Sequence, residues 1–441
     1  MEKILIVEAL STGVNYIEDI ASRNYKPVVL FRNLAPKEAE HNNIAKKYAG
    51  VADFYVEEDT YEKTLELVKK INPKVIVTGS ESGVELGIKL TEDMGLPGND
   101  SRLIPNFVHK DCMQAALEKA GIRSIKGKII NNVEEAVEFY RAEELDGCVI
   151  KPVRGAASVG VRICQNEQEL VENLNSMLNT ANAFGQSMAS MLLQEKIDGV
   201  EYIVNTVSYN GVHRLSSVWK YKKETVKGGG KVYDYAITVS ELETGCTRLI
   251  KYAFDVAKAL GYNYGAIHGE YMIDKKGPVL IEVNCRPMGG HMQAGFLDPI
   301  EGHHETDNVL DTYLNPQWHY EQAKKPYRNY CTAAFKLLIS GAETNVMSMP
   351  ILSIMRHLKS YYSASIGAAV TGIIPRTVDL DTAAGSLFLR HDDPAVVLHD
   401  LEFLRKVEQN YFGIFFDADA VSEDKKPQNM YTVEEIIDKY K

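Results

Sequence analysis

Five polar residues stand at alternate places in and just after two apolar runs past the middle of the chain. His268 and Glu270 lie within Ile267–Ile273; Glu282 and Asn284 close the run that starts at Val279, and Arg286 follows. Between the runs sits Asp274-Lys275-Lys276-Gly277-Pro278, a turn-forming stretch, so the whole reads as a β-hairpin. Side chains alternate along a strand, which puts His268, Glu270 and Met272 on one face, and Leu280, Glu282 and Asn284 on one face of the second strand. A three-residue loop at Lys275–Gly277 predicts Glu270 opposite Glu282 and His268 opposite Asn284. Carboxylates that face each other across strands repel, and a divalent cation with oxygen ligands would relieve that repulsion. Arg286 is placed to meet an anion. The plain alternative is a solvated outer face, against which the apolar flanks of the hairpin speak.

Other residues with chemical potential are spread along the chain. Cys148–Pro152 reads as a strand carrying Lys151, followed by a small-residue loop, Arg154-Gly155-Ala156-Ala157-Ser158-Val159-Gly160. Backbone N–H groups in such a loop can close on phosphate oxygens, and Lys151 adds a point charge. No GK[ST] follows, so this is not a Walker loop, and an ordinary hairpin turn also accounts for it. Leu192–Val204 reads as strand, turn, strand: a connector whose backbone around Glu195, Lys196 and Ile197 could take an adenine, with Glu201 on ribose hydroxyls, or simply a turn. Lys110 opens a helical stretch that stops at Gly121. Glu81 sits in Thr78–Gly83, where a strand ends; it suits a substrate ammonium, or the first turn of a helix. Lys220, Lys222, Lys223, Lys227 and Lys231, with Gly228–Gly230, make either a basic lid or a solvated loop. Gly289 and Gly290 give a tight backbone that a substrate can approach closely, whereas His303-His304-Glu305 lacks metal-ligand spacing and reads as a surface loop.

These positions need a scaffold. Strands at Ile4–Val7, Pro27–Phe31 and Val75–Thr78, with helical spacing between them, predict a parallel sheet covered by helices. The first turn, Ser11-Thr12-Gly13, lacks GxGxxG, so a dinucleotide site is not indicated. Leu96-Pro97-Gly98-Asn99 marks the end of this unit. Strands at Tyr330–Ile339, Ala368–Ile374 and Ser386–Leu389, and a helix from Asp393 to about Gln409, predict an α+β lobe at the C-terminal end. At 441 residues two or three domains are expected. A net charge of -11 disfavours a nucleic-acid backbone as partner. Six scattered cysteines without a CxxC pair read as free thiols of a reducing compartment. With no signal peptide and no membrane-length apolar run, a cytoplasmic location is expected.

Taken in order, Lys110, Lys151 before its small-residue loop, Glu195 to Glu201, Glu270, and Glu282-Val283-Asn284-Cys285-Arg286 resemble the ATP-grasp superfamily. The narrower likeness is to the L-amino-acid (dipeptide) ligases, carried by Trp219–Lys223, Val232–Tyr235, His268-Gly269-Glu270 and Arg286–Gly290. The resemblance implies a mixed α/β and α+β chain: a Rossmann-like pre-ATP-grasp unit over 1–105, an ATP-grasp unit over 106–310 with its nucleotide lobe at about 120–200, and a C-terminal lobe over 311–441. It implies ATP bound through Lys110, Lys151, Ser158, Glu195, Lys196, Ile197 and Glu201. Glu270, Glu282 and Asn284 would hold two Mg2+ ions, with Mn2+ as an alternative. Arg286 would steady an acyl phosphate, and His268, Glu81, Gly289 and Gly290 would meet amino-acid substrates. The activity implied is ATP-dependent joining of two amino acids, with a carboxylase or a specialised-metabolite amide ligase as the alternative. A non-enzymatic nucleotide-binding module is disfavoured by the full carboxylate–Asn–Arg set. A homodimer is the default assembly.

Overall fold

Strands β1 (Lys3–Val7), β2 (Lys26–Phe31), β3 (Asp53–Val56) and β4 (Val75–Thr78) form a parallel sheet in the order β3-β2-β1-β4. Alternate residues of the central strands feed two cores. Ile4, Ile6, Val29 and Phe31 pack with Tyr16 and Ile17 on one side, and Leu5, Val7, Val28 and Leu30 pack with Val68 and Leu90 on the other. Burial on both faces is why these strands read as unbroken apolar runs. Strand β3, with half its residues exposed, carries no such signal. The structure, a computed structural model, describes residues 1–152, 161–183, 191–225, 231–341, 343–345, 350–367, 372–378, 382–410 and 438.

A second, antiparallel sheet holds β5 (Gly127–Ile130), β6 (Cys148–Pro152), β7 (Arg162–Cys164) and β8 (Met191–Glu195) in the order β5-β8-β6-β7. The helix Glu167–Ala183 seals it with Leu170 and Leu174 against Ile150 and Leu193. After β8 the chain crosses directly into the third sheet. That sheet contains β9 (Val200–Tyr209), β10 (Val212–Thr225), β11 (Lys231–Thr238), β12 (Gly265–Asp274), β13 (Gly277–Asn284) and β14 (Thr332–Leu338). A small ribbon pairs β15 (Thr344–Asn345) with β17 (Ile373–Ile374). Strands β16 (Tyr361–Ile366) and β18 (Gly385–His391) complete the large sheet, ordered β13-β12-β9-β10-β11-β14-β18-β16.

Two expectations change here. The C-terminal lobe does not stand apart: besides the small β15–β17 ribbon, its strands β14, β18 and β16 extend the central sheet, β14 pairing with β11 with Tyr235 opposite Lys336. Lys336, fully buried, locks this seam through Asp234 at 2.8 Å and Glu408 at 2.6 Å. The basic stretch from Lys220 is not a loop either. β10 and β11 pair from Trp219↔Thr238 to Thr225↔Lys231, so Lys220, Lys222 and Lys223 sit on a strand; Lys227 and Gly228–Gly230 lie outside the described residues. The six cysteines are free thiols. No helix among the described residues is long and apolar enough to cross a membrane.

Candidate active site

The hairpin β12–β13 sets the geometry. Glu270 pairs with Glu282 and His268 with Asn284, but the route to this register differs from the expected one. The turn is one residue shorter, Asp274 pairing with Gly277, and a bulge at Ile281 restores the count. Asp274 Oδ1 accepts the N–H groups of Lys276 and Gly277, and Arg123 clamps Asp274 and the Gly277 carbonyl at 2.6–2.8 Å. The bulge also overturns one expectation: Leu280 leaves the face of Glu282 and joins Tyr271 and Val283 in the core. At this sheet edge, Gln114 Nε2 donates to the Leu280 carbonyl (3.0 Å) and the Leu280 N–H donates to Tyr252 Oη (3.1 Å).

Over the hairpin face stand the lysines. Lys110, at the start of the helix Lys110–Lys119, reaches Glu282 at 2.6 Å. Burial would raise the Glu282 carboxyl, but Lys110, with Lys151 and Asn284 adding to it, holds it low. Glu270 goes the other way: burial first, then the Glu282 charge, push it up to about 7. Lys151, buried on β6, is lowered to about 8 by desolvation, with Glu282 and Lys110 the next influences. Glu201 is buried and raised by desolvation; it pairs with Lys223 at 2.7 Å, whose ammonium lies 4.2 Å from the centre of the Tyr233 ring.

Glu195, Lys196 and Ile197 sit where β8 leaves the small sheet for the large one. Glu195 Oε1 accepts the Lys126 N–H (2.9 Å), and Lys196 donates to Gln165 (2.9 Å) and pairs with Asp198 (3.2 Å). Ser158 lies outside the described residues.

Arg286 points back to the first sheet. Its Nε is 3.4 Å from Glu81, which follows β4; burial raises the Glu81 carboxyl, and Arg286 pulls against that. Glu81 Oε2 is buried without a hydrogen bond among the described residues. The segment after Arg286 is pinned from several sides. Met288 N–H donates to Glu305 (2.5 Å), His291 N–H to Ser11 Oγ (3.3 Å), Met292 N–H to Thr12 Oγ1 (3.0 Å), and Asn15 Nδ2 to the Met292 carbonyl (2.7 Å). Gly290 has φ +90°, and a Cβ there would meet the Phe335 ring at 3.3 Å, so only glycine suits the position. The turn Ser11-Thr12-Gly13 therefore serves as a dock for this segment.

His303-His304-Glu305 is not a surface loop. His304 is buried, with Nδ1 2.6 Å from Asp298 and Nε2 3.1 Å from Asp19. Burial would lower this imidazole, but the hydrogen bonds to Asp19 and Asp298 raise it to about 10. It is an imidazolium clamped between carboxylates, joining the first sheet's helix Asn15–Ser22 to the helix Glu305–Leu314.

The structure thus gathers Lys110, Lys151, Glu201, His268, Glu270, Glu282, Asn284, Arg286 and Glu81 around one face of the hairpin. Sequence reasoning did not single out Asn205 and Ser217; it read Lys223 as part of a basic lid or solvated loop and Glu305 as part of a surface loop, where the structure pairs Lys223 with Glu201 and sets Glu305 on the Met288 N–H. Asn205 and Ser217 are polar residues inside buried stretches of strand, and a polar residue in such a run was the available signal. The donor set fits a hard cation: two apposed carboxylates and an amide oxygen, with burial and then the facing Glu282 charge raising the Glu270 carboxyl to about 7.

The chain matches the ATP-grasp domain family over residues 146–294. It is 25% identical over 419 residues to dapdiamide A synthase of Enterobacter agglomerans, covering 94% of this chain and 97% of that one. Its fold is similar to the crystal structure of L-amino acid ligase from Bacillus licheniformis (TM-score 0.70, 17% identity, 92% of this chain and 97% of that one). It is also similar to the biotin carboxylase domain dimer of Hydrogenobacter thermophilus 2-oxoglutarate carboxylase, solved with MgADP and bicarbonate (TM-score 0.62, 17% identity, 92% and 94% covered).

Proposed function

We propose that this chain, an ATP-grasp ligase that forms C–N bonds and releases ADP, joins two amino acids into a dipeptide. The observation that carries the reading is the convergence of Glu270, Glu282 and Asn284 with Lys110, Lys151 and Arg286 on one face of a hairpin. A carboxylate becomes a useful electrophile only once its oxygen is turned into a leaving group. Its oxygen attacks the γ-phosphorus of ATP, ADP departs, and an acyl phosphate remains. An amine then attacks the acyl carbon and phosphate leaves. Both steps need alignment and positive charge more than covalent help.

In this reading Lys110 and Lys151 face the phosphates, helped by the loop around Ser158. Glu195, Lys196 and Ile197 frame the adenine at the passage between sheets, and Glu201 takes the ribose. Glu270, Glu282 and Asn284 hold two magnesium ions, or manganese in their place. Bound metal adds positive charge beside the transferring phosphoryl group. Arg286 steadies the acyl phosphate, Glu81 and His268 meet the amino-acid substrates, and Gly289 and Gly290 let one approach the backbone. The chain is read as units 1–105, 106–310 and 311–441, the last sharing the sheet of the second. A cytoplasmic homodimer completes the proposal.

The whole-length match to dapdiamide A synthase favours one second reading, an amide ligase that takes a single specialised acid. The test is incubation with ATP, Mg2+ and mixed amino acids, following ADP and phosphate release and the product mass. A dipeptide mass with stoichiometric ADP supports the proposal. ADP formed only with one non-standard acid favours the second reading, and no ADP with any acid and amine refutes both.

A further inference from the structure

The peptide unit between Pro287 and Met288 takes part in two hydrogen bonds, one at each end. Its carbonyl accepts Arg286 Nη1–H at 3.0 Å, and its N–H donates to Glu305 Oε2 at 2.5 Å. Neither bond leaves a choice of donor, because a guanidinium and an amide N–H only donate. The unit is planar and trans, so turning the N–H turns the carbonyl with it. A side chain that fixes the N–H therefore fixes the acceptor that Arg286 uses. The sheet does not do this: β13 ends at Asn284, and the Arg286 N–H turns back on the Asn284 carbonyl at 2.9 Å.

Glu305 is held firmly enough for that task. It opens the helix Glu305–Leu314, and both of its chain neighbours grip Asp19. His304 Nε2 lies 3.1 Å from Asp19 Oδ1, and Thr306 Oγ1 donates to Asp19 Oδ2 at 2.6 Å. The Glu305 side chain is buried. Burial pushes its carboxyl up to about 7, with the Met288 N–H and then the Arg286 charge pulling the other way. A carboxyl raised on folding weakens the folded state once it ionises, so packing alone does not account for this one.

We infer that Glu305 is a positioning residue: through the Pro287–Met288 peptide it sets the plane of the Arg286 guanidinium that meets the acyl phosphate. The inference rests on the ligase reading for what Arg286 touches. What counts is an acceptor oxygen at that reach, which a carboxylate and an amide both supply.

The test is a cycle of variants in the full chain, with ADP release followed at pH 8 under saturating ATP, Mg2+ and amino acids. Glu305→Leu removes the acceptor. Its kcat is expected to fall on the order of tenfold, the loss of one hydrogen bond to a charged group, while KM for ATP holds. Glu305→Gln keeps an oxygen at the same reach and recovers most of the rate. Glu305→Asp keeps the charge but falls a methylene short; it should be as slow as Glu305→Leu, and it carries the test if Glu305→Leu does not fold. The deciding background is Arg286→Lys, slow in its own right. A lysine ammonium has no planar fork to align, so adding Glu305→Leu there should slow turnover by less than about twofold. A full additional loss in that background, or an unchanged kcat in a folded Glu305→Leu, overturns the inference alone. A fast Glu305→Asp beside a slow Glu305→Gln does so too, since charge and not contact would then be the agent. Wild-type protein that makes no ADP with any acid and amine overturns the ligase reading, and the role of Arg286 with it.

Discussion

Glu270 is predicted to be a residue the resting protein would be more stable without. Its carboxyl moves from an ordinary 4.5 to about 7 on folding, through burial and the facing Glu282 charge. A carboxyl raised on folding favours the folded state below its unfolded value, and that advantage is lost as pH climbs through the folded one. Stability should therefore fall between about pH 4.5 and pH 7 and then level off at this site. The shift from 4.5 to about 7 corresponds to roughly 3 kcal/mol at 1.36 kcal/mol per pH unit. Glu270→Gln keeps the shape of the protonated form and removes the penalty. In a chelator at pH 8 its urea midpoint should exceed that of the wild type, and the gap should close toward pH 4.5. Magnesium should reverse the order, because only the wild type then gains binding energy. Turnover should be lost in the variant at every pH. A Glu270→Gln protein as stable as the wild type, or less so, at pH 8 without metal would refute the idea that opposed carboxylates strain this hairpin.

Lys110→Met leaves Glu282 without its 2.6 Å partner; ADP formation should fall by about 100-fold or more, read in a coupled assay. His304→Gln should lower the urea midpoint near pH 6. Because the imidazole rises on folding from 6.5 to about 10, its contribution is full below pH 6.5 and fades as pH rises to 10, so the difference from wild type should shrink over that span. Gly13→Ala would bring a Cβ within 2.1 Å of the Gly79 carbonyl oxygen; a loss of about 3 kcal/mol or more is expected in denaturant unfolding, with a raised amino-acid KM because Ser11 and Thr12 move off the segment they dock.

The hairpin was readable because its chemistry is local. Alternation and a turn within one stretch of chain suffice to oppose Glu270 and Glu282, and the shorter turn and the bulge cancel in the count. The position of Leu280 was not readable, because a bulge leaves no mark in composition. The strand β10 was misjudged by its lysines, although Trp219-Lys220-Tyr221-Lys222 alternates with period two, the signature of a strand. His304 looked solvated because its partners, Asp19 and Asp298, come from other segments. The one local mark of Asn205 is a polar side chain inside a buried run of strand. Its meaning depends on neighbours from two adjoining strands and on the segment after Arg286. The parallel sheet was legible as an α/β unit, whereas the merging of the C-terminal strands with the central sheet depends on pairings nearly a hundred residues apart.

The outer border of β13 is stoppered. Where Leu280 would offer its amide and carbonyl to a newcomer, Gln114 and Tyr252 already occupy both, and Tyr252 is itself anchored on the Arg123 carbonyl at 2.5 Å. Pro278, a few residues away, has no amide hydrogen to lend. The strand bearing Glu282 is thus blocked at Leu280 and Pro278 against β-augmentation by a neighbouring chain, which guards against the aggregation that bare sheet borders invite. The other border of this sheet, along Tyr361–Ile366, lies at the opposite end of the strand order from β13.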